Sequence, residues 1–489
     1  MVWEPVSFNP LRGIDSGSYC ASSLVYEGLV KFDENLELKP ALASAYQISP
    51  DGLTYVFTLR PNLKFSDGSP LSALDVKACL MLAASELSPF RSDYIDIKEV
   101  EILSDEKLVV HLARPCQPLI SRMAELRIVP RAILQEKDHG NSHIARHPVG
   151  NGPFRLREWQ TGQELVFERN PYYWGAPAKL ESLVWRVIPD RMALAAALGR
   201  GEVDLAPVDG RVWKSYLSDL REASGNKKRF ELAEFCGNRT IYLGFNLERE
   251  PWKEVLIRKA FAHAIDRGAI SEAFYGGYAV VPDSDFPETS WAFSKDTEHT
   301  DFDTVASAAL LQKAGYKRQN GVWQKDGKPL ALRLLTIKDF EELAQASADY
   351  LKRAGMLVEV AVVEYSTLRR AYLQKGNFDG IVWSRSFGPD PECTIVWSSK
   401  GMLNFCRLKD KQVDEMLTEA RMAPTREARK QIYRTFQGFL ANRLPWVFLL
   451  RPKQLIAFRS GIGNIQKGRQ ENAGLPWDNP VANAAFWEP

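Results

Sequence analysis

The six histidines stand at positions 111, 139, 143, 147, 263 and 299. His139, His143 and His147 recur every fourth residue, a spacing that would align three imidazoles on one helix face for a metal ion. Gly140, Asn141, Ser142 and Pro148 interrupt that stretch and suit a solvated loop. His263 falls inside a helical pattern and reads as a surface or satisfied core histidine. The cysteines, Cys20, Cys79, Cys116, Cys236, Cys393 and Cys406, form no Cys-x-x-Cys pair, which argues against a zinc ribbon or a thioredoxin-type centre. There is no Gly-x-Ser-x-Gly elbow, no Gly-x-x-x-x-Gly-Lys-Ser/Thr phosphate cradle and no His-Glu-x-x-His helix. Gly150-Asn151-Gly152 and Gly461-Ile462-Gly463 each lack the third glycine of a dinucleotide fingerprint. Carboxylates are plentiful, but spacing alone marks no catalytic pair. The balance moves toward a binding protein, whose pocket needs shape, aromatic walls and a few charges but no activated nucleophile.

The chain has 489 residues, enough for about three domains or two large lobes with an insertion. Hydrophobic residues at 45% and charged residues at 25% are the balance of a globular protein, which excludes collagen, coiled coil and long disorder. Net charge is +2, so no strong field favours nucleic acid or acidic lipid. The most apolar runs, such as Leu444–Leu450, are strand-sized, well short of the roughly 18 residues of a membrane helix. The start, Met1-Val2-Trp3-Glu4-Pro5, carries no basic or apolar leader, so the chain is either cytosolic or a mature form with a start Met added. Helix and strand signals mix throughout, as in α/β or α+β proteins. Thr54–Arg60 reads as a strand after the turn Ser49-Pro50-Asp51-Gly52. Ser72-Ala73-Leu74-Asp75 is a capping box, with Val76, Leu80 and Ala83 along one helix face. Gly150–Pro153 breaks the chain before strands at Phe154–Trp159 and Leu165–Phe167. Helices are expected over Trp252–Asp266, with Ile257, Phe261, Ala264 and Ile265 as its stripe, and over Thr425–Asn442, with Ile432, Phe436, Phe439 and Leu440.

Several segments carry a specific resemblance. Val25-Tyr26-Glu27-Gly28-Leu29-Val30 is followed by Pro40–Ala43, Ser49–Arg60, Lys64–Gly68 and Ala73–Val76. Gly150–Phe154, Glu168–Gly175, Gly201–Asp204, Leu243–Asn246, Val255–Phe261 and Asn377–Gly380 continue the order. This succession resembles the extracytoplasmic solute-binding proteins of the peptide/nickel class, family 5, which serve ABC importers. Each piece is short; their order and spacing over nearly the whole chain make the resemblance strong. It implies an α/β, two-lobed periplasmic-binding-protein clamshell of class II, cluster C type, with an extra inserted domain. Lobe I would comprise residues 1–38, 148–245 and 452–489, the inserted domain 39–147, and lobe II 246–451, with a hinge near 238–250 and 448–456. It further implies a periplasmic or extracytoplasmic monomer that binds no cofactor or nucleic acid and hands its solute to ABC permease and ATPase subunits.

A closing clamshell strips water from its guest, so ligand charges must meet opposite charges or dipoles. For a short peptide, that means an acid for the ammonium and an Arg or Lys for the carboxylate. The resemblance points to Asp390, in Trp383-Ser384-Arg385-Ser386-Phe387-Gly388-Pro389-Asp390-Pro391, as the acid. Asp390 suits equally an N-cap before Pro391. Arg385 is a candidate carboxylate clamp, and Arg369 beside Arg370 a second cation. Ser386 lies in the same segment, where Trp383, Phe387 and Trp397 could wall the pocket, although core packing suits Trp397 as well. Tyr19, Cys20, Asn238 and Arg239 fall where the family brings chain to its cleft, and Arg127 is a further candidate from the inserted domain. Met123–Arg127 lacks the Pro-Arg-Pro of nickel-type members and no His follows Trp397, which favours a short or modified peptide, glutathione-like included, over a nickel chelate or an opine. A peptidase built from scattered residues is the reading from another class. Cys393 and Cys406 flank Trp397–Gly401 and are expected to form a disulfide worth roughly 3 kcal/mol. Cys20–Cys236 is a second expected bridge, implied by the family fold.

Overall fold

The computed structural model describes residues 1–9, 15–33, 35–134, 143–217, 230–465, 479–481 and 484–488. By its internal contacts the chain divides into two units, residues 1–235 with 421–425 and 454–489, and residues 236–420 with 426–453. Each is built from helices and sheets, so the fold class is α/β.

In unit 1 the helix Ser16–Val25 starts at Asp15, whose carboxylate accepts the Ser18 amide at 2.8 Å. Four antiparallel strands follow, in the order Ala43–Ile48, Thr54–Leu59, Lys107–Leu112, Ile97–Ser104. Thr54–Leu59 alternates as its composition requires: Tyr55, Phe57 and Leu59 point into the core. The expected capping box is present at Ser72 and Asp75, and Val76, Leu80 and Ala83 are buried on the helix Ala73–Ala84. Gly150–Pro153 acts as a buckle. A Cβ on Gly150 would lie 2.1 Å from the Val25 carbonyl, so only glycine allows this approach. Between the glycines, Asn151 accepts the Glu27 amide at 2.6 Å and donates to the Ile128 carbonyl at 3.0 Å. The strands Phe154–Gln160, Glu164–Arg169 and Ser182–Arg186 form a meander, and Gln454–Arg459 returns to pair between Leu205–Val208 and Phe230–Phe235. The four-stranded sheet shares its hydrophobic core with the helix Ser16–Val25 and the meander; we keep 39–147 as a proposed inserted domain.

Unit 2 is organised by a six-stranded sheet. Its elements are β1 (Arg239–Phe245), α1 (Val255–Ala264), β2 (Ala279–Val280), β3 (Ala331–Thr336), α2 (Glu341–Arg353), β4 (Leu357–Val362), β5 (Gly380–Ser386), α3 (Arg426–Arg443) and β6 (Trp446–Pro452). The strand order is β2-β6-β1-β5-β3-β4. The family resemblance puts residues up to 245 in lobe I; β1 instead pairs on both sides with strands of unit 2, which is why contacts place it there. The β3, β4 and β5 strands run parallel and end at one edge, with Arg239 opposite Ser386 at that edge. The α1 helix is shorter than expected from sequence, yet Ile257, Phe261, Ala264 and Ile265 are all buried. The α3 stripe is rotated from the expected one: Arg429, Tyr433, Phe436, Gln437 and Leu440 are buried, while Ile432 and Phe439 are half-buried.

Candidate functional site

Binding sites of open α/β sheets gather where parallel strands end. Four of the candidate residues of unit 2 meet at the carboxyl end of β5. Arg239 faces Ser386 in register, both exposed, and the Asn238 carbonyl accepts the Phe387 amide at 2.7 Å. Trp383 is half-buried on β5, its ring 5.7 Å from that of exposed Tyr365 and 6.4 Å from that of Phe340. Arg369 lies in the turn Leu368–Leu373 that follows β4.

Two of the charged candidates, Asp390 and Arg385, have partners within the unit. Asp390 is paired bidentately with Arg429 of α3, at 2.9 Å from Nη1 and 2.7 Å from Nη2. Asp390 Oδ1 also accepts the Glu392 amide at 3.0 Å, which makes a turn; the next helix, Thr394–Trp397, starts later, at Cys393. Burial opposes the Arg429 charge, but the Asp390 carboxylate outweighs it and holds the guanidinium above its ordinary range. Arg385 forms an ion pair with Asp285, and its guanidinium lies 5.0 Å from the Phe387 ring centroid. Burial pulls the Arg385 pKa down, opposed by the surrounding Cys393, Glu392 and tyrosine groups. Asp285 is 1% exposed and also accepts Trp397 Nε1–H at 3.0 Å. Arg451, at the end of β6, holds this loop in place. It donates to the Ser284 and Asp285 carbonyls at 2.8 and 3.2 Å, to Thr240, and to both oxygens of Glu288 at 3.1 Å.

Phe387 and Trp397 are core residues. Phe387 packs on Phe286 at 4.8 Å, and Trp397 is fully buried against Trp446 at 4.1 Å. In unit 1, Tyr19 and Cys20 lie in the helix Ser16–Val25, and the Arg127 guanidinium sits 5.9 Å from the Tyr19 ring. Burial pushes the Tyr19 phenol up and pulls the Arg127 guanidinium down.

The two expected disulfides are corrected: all six cysteines are thiols. The 393–406 loop is pinned instead by hydrogen bonds. Asn404 donates to the Ser398 and Leu408 carbonyls at 3.0 and 2.8 Å, and the Cys406 thiol donates to Asn404 Oδ1 at 3.3 Å. Cys20 lies buried in its helix and Cys236 follows the strand Phe230–Phe235, unbridged. Burial raises the Cys393 thiol and pushes Cys406 up to about 11. Among the described residues, no group of three His, Cys, Asp or Glu side chains could hold a metal ion. His143 and His147 stack at 4.4 Å, and His139 lies outside the described residues. His263 Nδ1 donates to the Asp301 carbonyl at 2.8 Å.

Sequence reasoning missed Arg429, Asp285 and Arg451. The first had a signal: Arg429, Tyr433, Phe436 and Leu440 keep helical spacing, so a charge stood on an apolar stripe.

Residues 37–404 match the family model of bacterial extracellular solute-binding proteins, family 5, middle region. The chain belongs to this family. The oligopeptide-binding protein AppA of Bacillus subtilis is 29% identical over 483 residues, covering 93% of this chain and 86% of that protein. The glutathione-binding protein GsiB of Escherichia coli is 26% identical over 472 residues, covering 92% of this chain and 88% of that protein. The crystal structure of NikZ from Campylobacter jejuni, in complex with Ni(L-His), superposes with a TM-score of 0.85 at 25% identity, covering 100% of this chain and 98% of that one. Family 5 members are substrate-binding proteins of ABC importers. Among the described residues no helix is long and apolar enough to cross a membrane.

Proposed function

We propose that this family 5 protein captures a short peptide outside the cytoplasm and delivers it to the permease and ATPase subunits of an ABC importer, acting as a monomer without catalysis. The observation that supports this most is the similarity, over nine-tenths of the chain, to an oligopeptide-binding protein. The carboxyl edge of unit 2 supplies suitable chemistry for a peptide: exposed Arg239 and Ser386, strand ends with backbone hydrogen-bonding groups, and the Trp383–Tyr365 pair for side chains. Tyr19, Cys20 and Arg127 of unit 1 and Arg369 of unit 2 are the remaining candidate contacts.

The test is thermal unfolding in the presence of a mixed pool of peptides of two to nine residues, reduced glutathione, or Ni(L-His). A ligand present at a hundred times its Kd stabilises the fold by about 2.7 kcal/mol. The peptide pool is expected to raise the melting temperature without loss of peptide mass. A shift with Ni(L-His) alone, or turnover of the peptides at catalytic protein concentration, would overturn the proposal.

A further inference from the structure

We propose that the charges of Asp390 and Arg385 position the 383–390 segment and do not meet the charges of the ligand, so that a peptide with a blocked amino terminus is accepted at this segment as well as a free one. This rests on the reading that the segment faces the ligand.

An acid that captures an ammonium needs lone pairs to offer and no resident cation. Asp390 has a resident cation, and most of its lone pairs are taken. Its two oxygens accept both terminal nitrogens of Arg429, and Oδ1 accepts the Glu392 amide as well. A carboxylate has about four acceptor directions, so three are already taken. Both side chains of the pair are only 6% exposed. Transfer of Asp390 to a ligand ammonium would strand the Arg429 guanidinium in the core, between Tyr433 and Trp291, whose rings lie 5.7 and 5.2 Å away. A buried, uncompensated guanidinium is costlier than a solvated ammonium, so the resident pair prevails.

Arg385 follows the same logic with opposite sign. Its counter-charge, Asp285, is itself fixed by the Trp397 indole and by the grip of Arg451 on the Ser284 and Asp285 carbonyls. The two pairs hold the end of β5 and the loop after it, Asp390 through Arg429 of α3 and Arg385 through Asp285 of the segment after β2. What this segment leaves exposed between them is the neutral Ser386.

The test uses a randomised pentapeptide pool in which half the molecules are N-acetylated, with bound peptides read by native mass spectrometry. Three proteins are compared: wild type, D390N, and D390L/R429M, which exchanges the whole pair for apolar side chains and keeps the outcome readable if D390N misfolds. The ratio of free to acetylated peptide bound is expected to lie within threefold of one in wild type and to agree within threefold across the three proteins. A preference for free amines in wild type that falls more than tenfold in either variant overturns the proposal. Ser386→Trp tests the underlying reading separately: bound peptide should fall at least tenfold, and an unchanged amount refutes the placement of ligand at this segment. If wild type retains no peptide, the peptide reading and this proposal fall together.

Discussion

Replacing Arg429 by Met would remove one side of a pair whose other side cannot leave. Asp390 stays in place because its backbone belongs to the turn into Glu392 and its side chain is 6% exposed. The variant loses two charge-assisted hydrogen bonds, at 2.7 and 2.9 Å, and takes the bidentate guanidinium away from a buried carboxylate. Breaking a buried pair in this way costs about 3–5 kcal/mol. In a unit of about 200 residues, each kcal/mol moves the melting temperature by about 2–4 °C, so a fall of about 6–20 °C is expected. The pH dependence distinguishes this cause from a mere cavity. Without Arg429, the buried carboxylate loses the bidentate cation that favours its charged form, so protonating Asp390 costs the variant less than it costs the wild type. Acidification therefore takes more stability from the wild type, whose ion pair it breaks, than from the variant. The deficit of the variant should therefore be largest at pH 7 and shrink as pH falls toward 5. Urea unfolding at several pH values reads both quantities. A loss under 1 kcal/mol at pH 7, or a deficit that grows on acidification, would refute the reasoning.

Four further outcomes follow from the same packing. Titration of the denatured, unreduced protein should find six thiols, and reductant should leave the melting temperature unchanged. In the native protein, half-buried Cys236 should react first with a disulfide reagent at pH 8, whereas Cys406, with its pKa pushed up to about 11, should react slowly. Trp397→Phe deletes the indole donor to Asp285 and should cost about 1–3 kcal/mol by denaturant unfolding, because the buried carboxylate loses a partner. Gly237→Ala should yield little folded protein by circular dichroism, since its Cβ would sit 1.7 Å from the Pro452 carbonyl oxygen; a normal melting curve would contradict that packing.

Much of the fold is legible in local chemistry. The capping box at Ser72 and the alternation of Thr54–Leu59 declare themselves because their partners lie within a few residues. The end of β5 is legible too, through the resemblance that singles out 383–391. The partners of its charges are not. Arg429 lies 39 residues beyond Asp390, and Asp285 precedes Arg385 by 100, so only the folded chain shows that both charges are matched. The disulfide expectation fails for a related reason. Cysteine spacing around a loop signals closure, but the Asn404 side chain already closes this loop through two carbonyls. The stripe of α3 differs from the expected one because apolarity alone marks Ile432 and Phe439, whereas burial follows the face that brings Arg429 and Gln437 to their partners.

The most direct measurement of the central claim is mass spectrometry of the protein purified without denaturation and then extracted with acid, so that whatever it carries is released and identified. A solute-binding protein for peptides should yield intact short peptides at up to one equivalent per chain. Stripped protein should take them up again at the same ratio. Recovery of only cleaved fragments, or of no small molecule before or after exposure to the peptide pool, would contradict the account.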